Sequence, residues 1–412
     1  MRKTLLFLIA ILVTSSWSAQ CDGNRYQSFV FSDFTVTTDI EYGSNVDLNG
    51  APETLLMDVY TPDGDIETSR PLIIVCHGGY FLGGDKAETD VVPLCEDFVK
   101  MGYVVASINY RVGVELLASL QTPYGQTVMR AVQDFRACVR WFRKNAAEGG
   151  NTYGINPNLI FAGGDSAGGF LALHHAYLDE SELPSWLTLD ATGLTGGLEG
   201  ESGNPGYSSE VTAIYSVAGA LGEANWIDPT DDTPACLTHG DADGVVTIDS
   251  GTFVLFGIID VTDIQGSNPI AAQMTSIGLE HCYEINEGGG HVPYLGNDAV
   301  YDSTLYMISH FFAQYICDTE YNCDYQNMVG ISNPSNDLTL ALYPNPVNSG
   351  SSLTCSRTFE NAEVTLSDGM GRQITRQTLR GNQIAIPMVA PGIYFVTIRE
   401  DDELLIQKIV VE

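Results

Sequence analysis

Basic residues are scarce in this chain: 18 lysines and arginines stand against 52 aspartates and glutamates in 412 residues, a formal net charge of −34 at pH 7. A surface so short of positive charge repels phosphate backbones and anionic headgroups. That excludes nucleic acid and anionic membrane as partners. The imbalance is uneven. From Leu338 onward 8 acidic residues meet 6 basic ones, so the acidity sits in the middle of the chain. Solvation of an exported protein's surface accounts for it better than acids built for a charged substrate.

Long apolar runs are also missing beyond the first residues, so no later stretch is expected to cross a membrane. A phosphate-cradling G-x-x-x-x-G-K loop is absent. No histidine or cysteine constellation has metal-ligand spacing, and Asp228, Asp231 and Asp232 read as a solvated acidic loop. No metal and no cofactor are expected. The one apolar run, Leu5–Val13, is too short to span a bilayer. It follows Arg2 and Lys3 and precedes the small residues Ser15, Ser16, Ser18 and Ala19. Residues 1–19 therefore read as a cleaved signal peptide. Cys21 lacks the upstream apolar residue that a lipoprotein site needs.

Nine cysteines in an exported chain make disulfides available, and the odd number leaves one thiol over. Cys317 and Cys323 are the expected pair. Cys236 and Cys282 lie on neighbouring predicted strands and can bridge if the register allows. Cys76 reads as a small buried hydrophobe.

From Thr54 to Cys317 apolar runs alternate with helical patterns. Strands are expected at Leu55–Tyr60, Leu72–Cys76, Tyr103–Asn109, Leu159–Ala162, Val211–Val217, Ala235–Thr238 and Cys282–Ile285. Val128, Val132, Phe135, Val139 and Phe142 recur at helical spacing, with Arg130, Asp134, Arg140 and Lys144 elsewhere on the wheel. Gly149 and Gly150 end that helix, and Tyr301–Ile316 reads as a closing one. Such alternation predicts an α/β fold, a mostly parallel sheet covered on both faces. The glycine-rich insertion Glu180–Ser209, directly after the helix that follows Ser166, reads as a lid or pocket wall.

The composition changes after Cys317. Residues 20–318 form the expected catalytic domain, 319–337 a polar linker, and 338–412 a small C-terminal β-sandwich. Its strands are Glu363–Leu366, Gln383–Ile386, Ile393–Ile398 and Leu404–Val411, separated by turn signals such as Gly381-Asn382 and Pro391-Gly392. Tyr343-Pro344-Asn345-Pro346, Gly392-Ile393-Tyr394 and the final Lys408-Ile409-Val410-Val411 together resemble the C-terminal sorting domain of the type IX secretion system. The resemblance implies recognition by an outer-membrane secretion machinery. It also implies release, or attachment to the surface of a Gram-negative cell.

Gly163-Gly164-Asp165-Ser166-Ala167-Gly168 places a G-x-S-x-G between a strand and a helix, the context of a nucleophile elbow. The turn is crowded, so glycine is required at Gly164 and Gly168. A serine hydroxyl needs a base. Of 7 histidines, His291 is the candidate base: it follows the strand Cys282–Ile285 into a loop at the carboxyl edge where Ser166 lies, while His77 and His239 belong to other loops. His174, His175, His281 and His310 belong to helices or a strand start. The base needs an acid, and Asp241 and Asp243 leave another strand at that edge. Both are candidates; H-G-x-x-D-x-V-V resembles the acid loop of many esterases, and that resemblance implies Asp243 as the acid, with Asp241 stabilising the loop. Developing negative charge needs N–H donors. His77-Gly78-Gly79-Tyr80 resembles the H-G-G-x loop of esterases, which implies the N–H groups of Gly79 and Tyr80 as donors; Ala167 after the nucleophile is expected to add a third, and His77 to brace the loop. Tyr80, Phe81 and Trp186 are the expected substrate-binding residues.

These pieces, with Asn109-Tyr110-Arg111 and Gln133-Asp134-Phe135-Arg136-Ala137, resemble the carboxylesterase-like branch of the α/β-hydrolases, which includes acetylxylan and feruloyl esterases. The resemblance implies a cofactor-free serine esterase and makes Arg111 a member of a buried charge pair. Two rivals remain. A serine peptidase of the prolyl-oligopeptidase type needs a propeller that the residues before the first strand are too few to build. A catalytically dead binding protein on the same fold would not need these residues.

Overall fold

A computed structural model describes Cys21, residues 24–115, 117, 119–317, 319, 321 and 323, then 342–368, 373–400 and 403–411. The expected signal peptide and almost all of the expected linker lie outside these residues. The chain divides into two compact units, Met1–Cys323 and Asp324–Glu412.

The first unit is built on an eight-stranded sheet in the order β1-β2-β4-β3-β5-β6-β7-β10. The strands are β1 (Phe34–Val46), β2 (Pro52–Pro62), β3 (Arg70–Cys76), β4 (Val104–Ile108), β5 (Ile155–Asp165), β6 (Ala213–Val217), β7 (Ala235–Gly240) and β10 (His281–Asn286). From β4 to β10 all pairings are parallel, and β1 and β2 add an antiparallel edge. This is the doubly covered, mostly parallel sheet that the alternating pattern predicts. Alternation along β3 shows how the sequence makes two layers. Leu72, Ile74 and Cys76 enter the core with helices α2 (Gln121–Glu148), α3 (Ala167–Tyr177) and α4 (Ser267–Ile277). Ile73 and Val75 enter the opposite core with α1 (Val92–Lys100) and α5 (Asp298–Cys317). Such strands are buried on both faces, hence their continuous apolar runs. Strands β8 (Ser250–Leu255) and β9 (Ile259–Gln265) form a separate hairpin.

The apolar positions of α2 are buried as their spacing predicts, but so are Arg130, Asp134 and Arg140. The cause is the glycine-rich insertion, which lies along the polar side of α2 and offers it carbonyl oxygens. Arg130 donates to the Thr192 carbonyl at 3.1 Å, Gln133 to that of Gly197 at 2.7 Å, and Arg140 to that of Gly203 at 3.1 Å. A Cβ on Gly200 would meet the Gln133 side chain at 2.5 Å, so the strap needs glycine to lie this close. Most of the insertion is thus a fixed strap, and its segment Pro184–Leu187 supplies pocket wall.

The cysteine expectations are corrected. Cys317 bonds to Cys21, and Cys323 to Cys282. Cys236 is the register partner of Cys282 on the adjacent parallel strand, yet stays a buried free thiol. Side chains at one register point to the same side of a sheet, and Cys282 finds its partner in the chain passing over that side. The Cys21–Cys317 bond engages the thiol that lipidation would need and closes a sequence separation of 296 residues. Cys21→Ser is expected to lower stability by about 2–4 kcal/mol, read from the urea midpoint, with the circular dichroism spectrum at 25 °C unchanged. An unchanged midpoint would show that the bond constrains nothing.

The second unit pairs β11 (Leu342–Tyr343), β12 (Ser352–Asp368), β14 (Gly392–Glu400) and β15 (Glu403–Val411) in that order, with β13 (Gln373–Ala385) on β12. All these pairings are antiparallel. Leu353, Val364, Leu366, Leu379, Val396, Ile398 and Ile409 fill its own small core. Two of the motif pieces meet there: Asn345 donates to the Lys408 carbonyl at 3.1 Å and accepts from the Val410 N–H at 2.8 Å.

Candidate active site

Four loops leave the carboxyl ends of parallel strands and converge. Ser166 follows β5, the acid loop follows β7, the His291 loop follows β10, and His77–Tyr80 follows β3. Because β5, β6, β7 and β10 are successive neighbours, the loops open at one rim of the sheet.

Ser166 has φ 50° and ψ −116°, a conformation that is strained for a non-glycine residue. The turn is that tight because β5 runs into α3 beside the end of β3. A Cβ at Gly164 would lie 2.1 Å from the Cys76 carbonyl oxygen, and one at Gly168 2.0 Å from the same atom. Ser166 is buried and directed at the rim. Its Oγ lies 2.8 Å from His291 Nε2, and His291 Nδ1 lies 2.8 Å from Asp243 Oδ2.

The acid and base loops are sewn together. The Ala242 N–H donates to the Gly289 carbonyl at 2.9 Å, and the Gly288 N–H to Asp241 Oδ1 at 2.6 Å. Asp241 thus ties the loops, while Asp243 faces His291. Asp243 Oδ1 accepts from the Val245 and Val246 N–H groups at 2.8 and 3.0 Å. His239 Nε2, which donates to the Val246 carbonyl at 3.0 Å, also lies 3.3 Å from Asp243 Oδ2. Burial pushes the Asp243 carboxyl up, but the hydrogen bonds from His239 and His291, the His291 charge and the Val245 N–H outweigh it. The group is held well below the usual carboxylate range.

The loop after β3 is pinned from several sides. The Gly78 N–H donates to Asp90 Oδ2 at 2.9 Å. The Tyr124 hydroxyl donates to the Tyr80 carbonyl at 2.7 Å, and the Tyr110 hydroxyl to that of His77 at 2.7 Å. His77 stacks on Tyr110 with ring centroids 4.3 Å apart, and its Nδ1 bonds the Gly78 carbonyl at 2.7 Å. Among the described residues the N–H groups of Gly79, Tyr80 and Ala167 donate to no protein acceptor.

Tyr80 and Phe81 line a cavity with Ser166, Ala167, Tyr124, Phe170, Val245, Val246 and Phe253. Its volume is about 10 Å³, room for about one water molecule. Trp186 does not reach that cavity. It lines a larger one of about 620 Å³, which shares Tyr124, Phe170 and Phe253 with the first. Phe253, on the hairpin, carried no sequence signal. Asp165 and Asp90 carried none either. An acidic residue before the nucleophile and another in a loop have no shared pattern, yet a Cβ on Gly78 would touch both, at 2.9 and 3.1 Å.

Burial, reinforced by Asp90, pushes the Asp165 carboxyl well above its ordinary value. The folded protein therefore keeps a proton that the unfolded chain loses near pH 3.9, and this contribution to stability declines as pH rises from about 4 through the raised value. Asp165→Asn stays neutral throughout. Its melting temperature relative to the parent protein is expected to rise between about pH 5 and pH 8, with parallel pH curves as the contrary result.

Residues 57–226 match the family model BD-FAE, and residues 341–412 match the secretion system C-terminal sorting domain. The first segment is thus similar to an esterase family and the second to a sorting tail. The BD-FAE match covers the loop after β3, the elbow and the whole of the strap. The chain is 28% identical to Esterase-5C of Drosophila miranda over 129 residues, 31% of this chain and 22% of that protein. It is 29% identical to Esterase E4 of Myzus persicae over 143 residues, 33% of this chain and 24% of that protein. It thus spans less than a quarter of either relative's length. Esterase 2 of Thermogutta terrifontis aligns over 72% of this chain and 98% of its own, with a TM-score of 0.48 and 22% identity.

Proposed function

We propose that the protein is an exported serine esterase. Ser166 Oγ attacks the carbonyl carbon of a carboxylic ester while His291 Nε2 takes its proton. Asp243 keeps Nδ1 protonated and stabilises the imidazolium. The tetrahedral oxyanion lies against the N–H groups of Gly79, Tyr80 and Ala167. His291 returns the proton to the departing alcohol, leaving an acyl-enzyme. Water, activated by the same base, adds to it and frees the acid and Ser166. The observation that carries this reading is the continuous chain Ser166 Oγ to His291 Nε2 to Asp243, 2.8 Å at each step.

The sorting tail supports export to the cell surface or beyond, through an outer-membrane secretion machinery. In that location, acetyl or feruloyl esters of polysaccharide, small acyl esters and polyesters are the accessible substrates. Ser166→Ala is expected to lower hydrolysis of 4-nitrophenyl acetate about 10⁵–10⁶-fold with an unchanged circular dichroism spectrum. Turnover near the parent level would refute the assignment.

A further inference from the structure

The space beside Ser166 is nearly filled, and the large space is one side chain away. The rings of Tyr124 and Phe253 lie 5.3 Å apart, those of Phe170 and Phe253 6.4 Å, and together they separate the two cavities. Phe253 is buried against the rings of Tyr80, Tyr124 and Phe170, and the hairpin is the element that carries it. Strand β8 pairs with β9, Thr252 bonds Asp263 at 2.7 Å, and Gln121 on α2 bonds Thr262 at 3.2 Å. Beyond Phe253 the hairpin turns through Phe256, Ile258 and Ile259, all exposed, so its tip has little packing to hold it.

The chamber behind this partition has a definite chemistry. Trp186, Trp226, Phe170, Phe253 and Tyr124 give it aromatic faces. Glu182, Glu223 and Asp263 line it as well, and no lysine or arginine does. An anion would face three carboxylates there, whereas an uncharged ring would lie against aromatic surface. His174 also lines the chamber. Its Nδ1 lies 2.8 Å from the Phe170 carbonyl, an acceptor, so Nδ1 carries the proton and Nε2 is an acceptor. Burial lowers this imidazole's pKa to about 4, so it is neutral in neutral solution. The volume of about 620 Å³ falls within the size of small-molecule pockets.

We propose that this chamber receives a neutral, ring-bearing group of the ester substrate and that Phe253 is the specificity-determining partition between it and Ser166. The inference rests on the esterase reading. When such a substrate binds, Phe253 moves and the two cavities become one, with the ester bond at Ser166 and the ring between Trp186 and Trp226. Small esters use the cavity beside Ser166 alone.

The test compares kcat/KM for ethyl acetate, 2-phenylethyl acetate and ethyl 3-phenylpropanoate, which place the ring on neither side, on the alcohol and on the acyl group. Phe253→Ala is expected to raise the ratio of one ring-bearing ester to ethyl acetate about tenfold, and which ester responds assigns the side. Trp186→Ala and Trp226→Ala are expected to lower that ratio about tenfold, the scale of one aromatic contact. The ring-bearing carboxylate monoethyl terephthalate is expected to be a poorer substrate than ethyl benzoate, with Glu223→Gln narrowing the gap. Tryptophan fluorescence of Ser166→Ala titrated with ethyl 3-phenylpropanoate and 2-phenylethyl acetate reads binding without turnover. Saturable quenching lost in Trp226→Ala supports the chamber.

Unchanged ratios in all three aromatic variants, with ethyl acetate still hydrolysed, overturn the inference and leave the esterase reading standing. Equal use of the carboxylate-bearing ester overturns the neutrality of the ligand. If no ester is hydrolysed the esterase reading fails, and the fluorescence titration still decides whether the chamber holds a ring.

Discussion

Asp243→Asn is expected to lower kcat for ester hydrolysis about 10⁴-fold with little change in stability. The geometry says why the isosteric change is so costly. Oδ1 accepts two backbone N–H groups, from Val245 and Val246, so the asparagine oxygen must occupy that position. The amide nitrogen then takes the place of Oδ2 and presents N–H to His291 Nδ1, where the aspartate presented an acceptor at 2.8 Å. Nδ1 must become the unprotonated nitrogen, and the proton moves to Nε2. Nε2 then cannot accept the Ser166 proton. His239 Nε2, 3.3 Å from Oδ2, also loses a negative partner. The two tautomers carry the same number of protons, so raising the pH does not convert one into the other and the loss should persist across the pH range in which the parent protein is active. The pH–rate profile of the variant checks this, and recovery to the parent protein's rate at any pH in that range would contradict it.

The largest loss of stability is expected from Arg111→Met, about 3–5 kcal/mol. The Arg111 and Asp134 side chains are 1% and 0% exposed, with Arg111 Nη2 2.8 Å from Asp134 Oδ1. Asp134 also accepts from the Arg111 backbone N–H at 2.8 Å and the Ser202 hydroxyl at 2.6 Å. Arg111 in turn donates to the carbonyls of Val46 and Gly193. Removing the guanidinium leaves a carboxylate uncompensated in the core and takes away the donors to Gly193 and Ser202 of the strap. Against a total stability of about 5–15 kcal/mol that is a large share. Arg111→Met combined with Asp134→Leu removes both charges and is expected to recover much of the loss. Urea midpoints of the two variants measure the difference. Equal midpoints would show that the lone carboxylate is not what destabilises the single variant.

Much of this architecture was legible because it is written in short-range patterns. Strands buried on both faces, such as β3 and β6, read as apolar runs. The elbow is legible because only glycine fits beside the Cys76 carbonyl. Ser166, Asp243 and His291 each follow a strand, so their common rim followed from the parallel topology.

What escaped has physical causes too. Strand β1 is an edge strand with mostly exposed side chains and no apolar run. Helix α1 is 9 residues long and α4 is 11, too short for a firm period. The hairpin that carries Phe253 buries only two positions in each of its short strands. Arg130 and Arg140 look like solvent-facing charges until a strap 50 to 70 residues away in sequence supplies them with carbonyls. The disulfides join cysteines that only the finished fold brings close, Cys21 with Cys317 and Cys282 with Cys323. The Asp90–Asp165 contact has the same origin, since it depends on how the loop after β3 settles against the elbow.

Covalent capture of the nucleophile tests the central claim most directly. The purified protein is treated with a fluorophosphonate and digested, and the modified peptide is sequenced by mass spectrometry. One adduct on Ser166 is expected, absent from Ser166→Ala and slowed in His291→Ala. A folded protein that takes up no phosphonate, or takes it up at another residue while Ser166 stays free, would contradict the account.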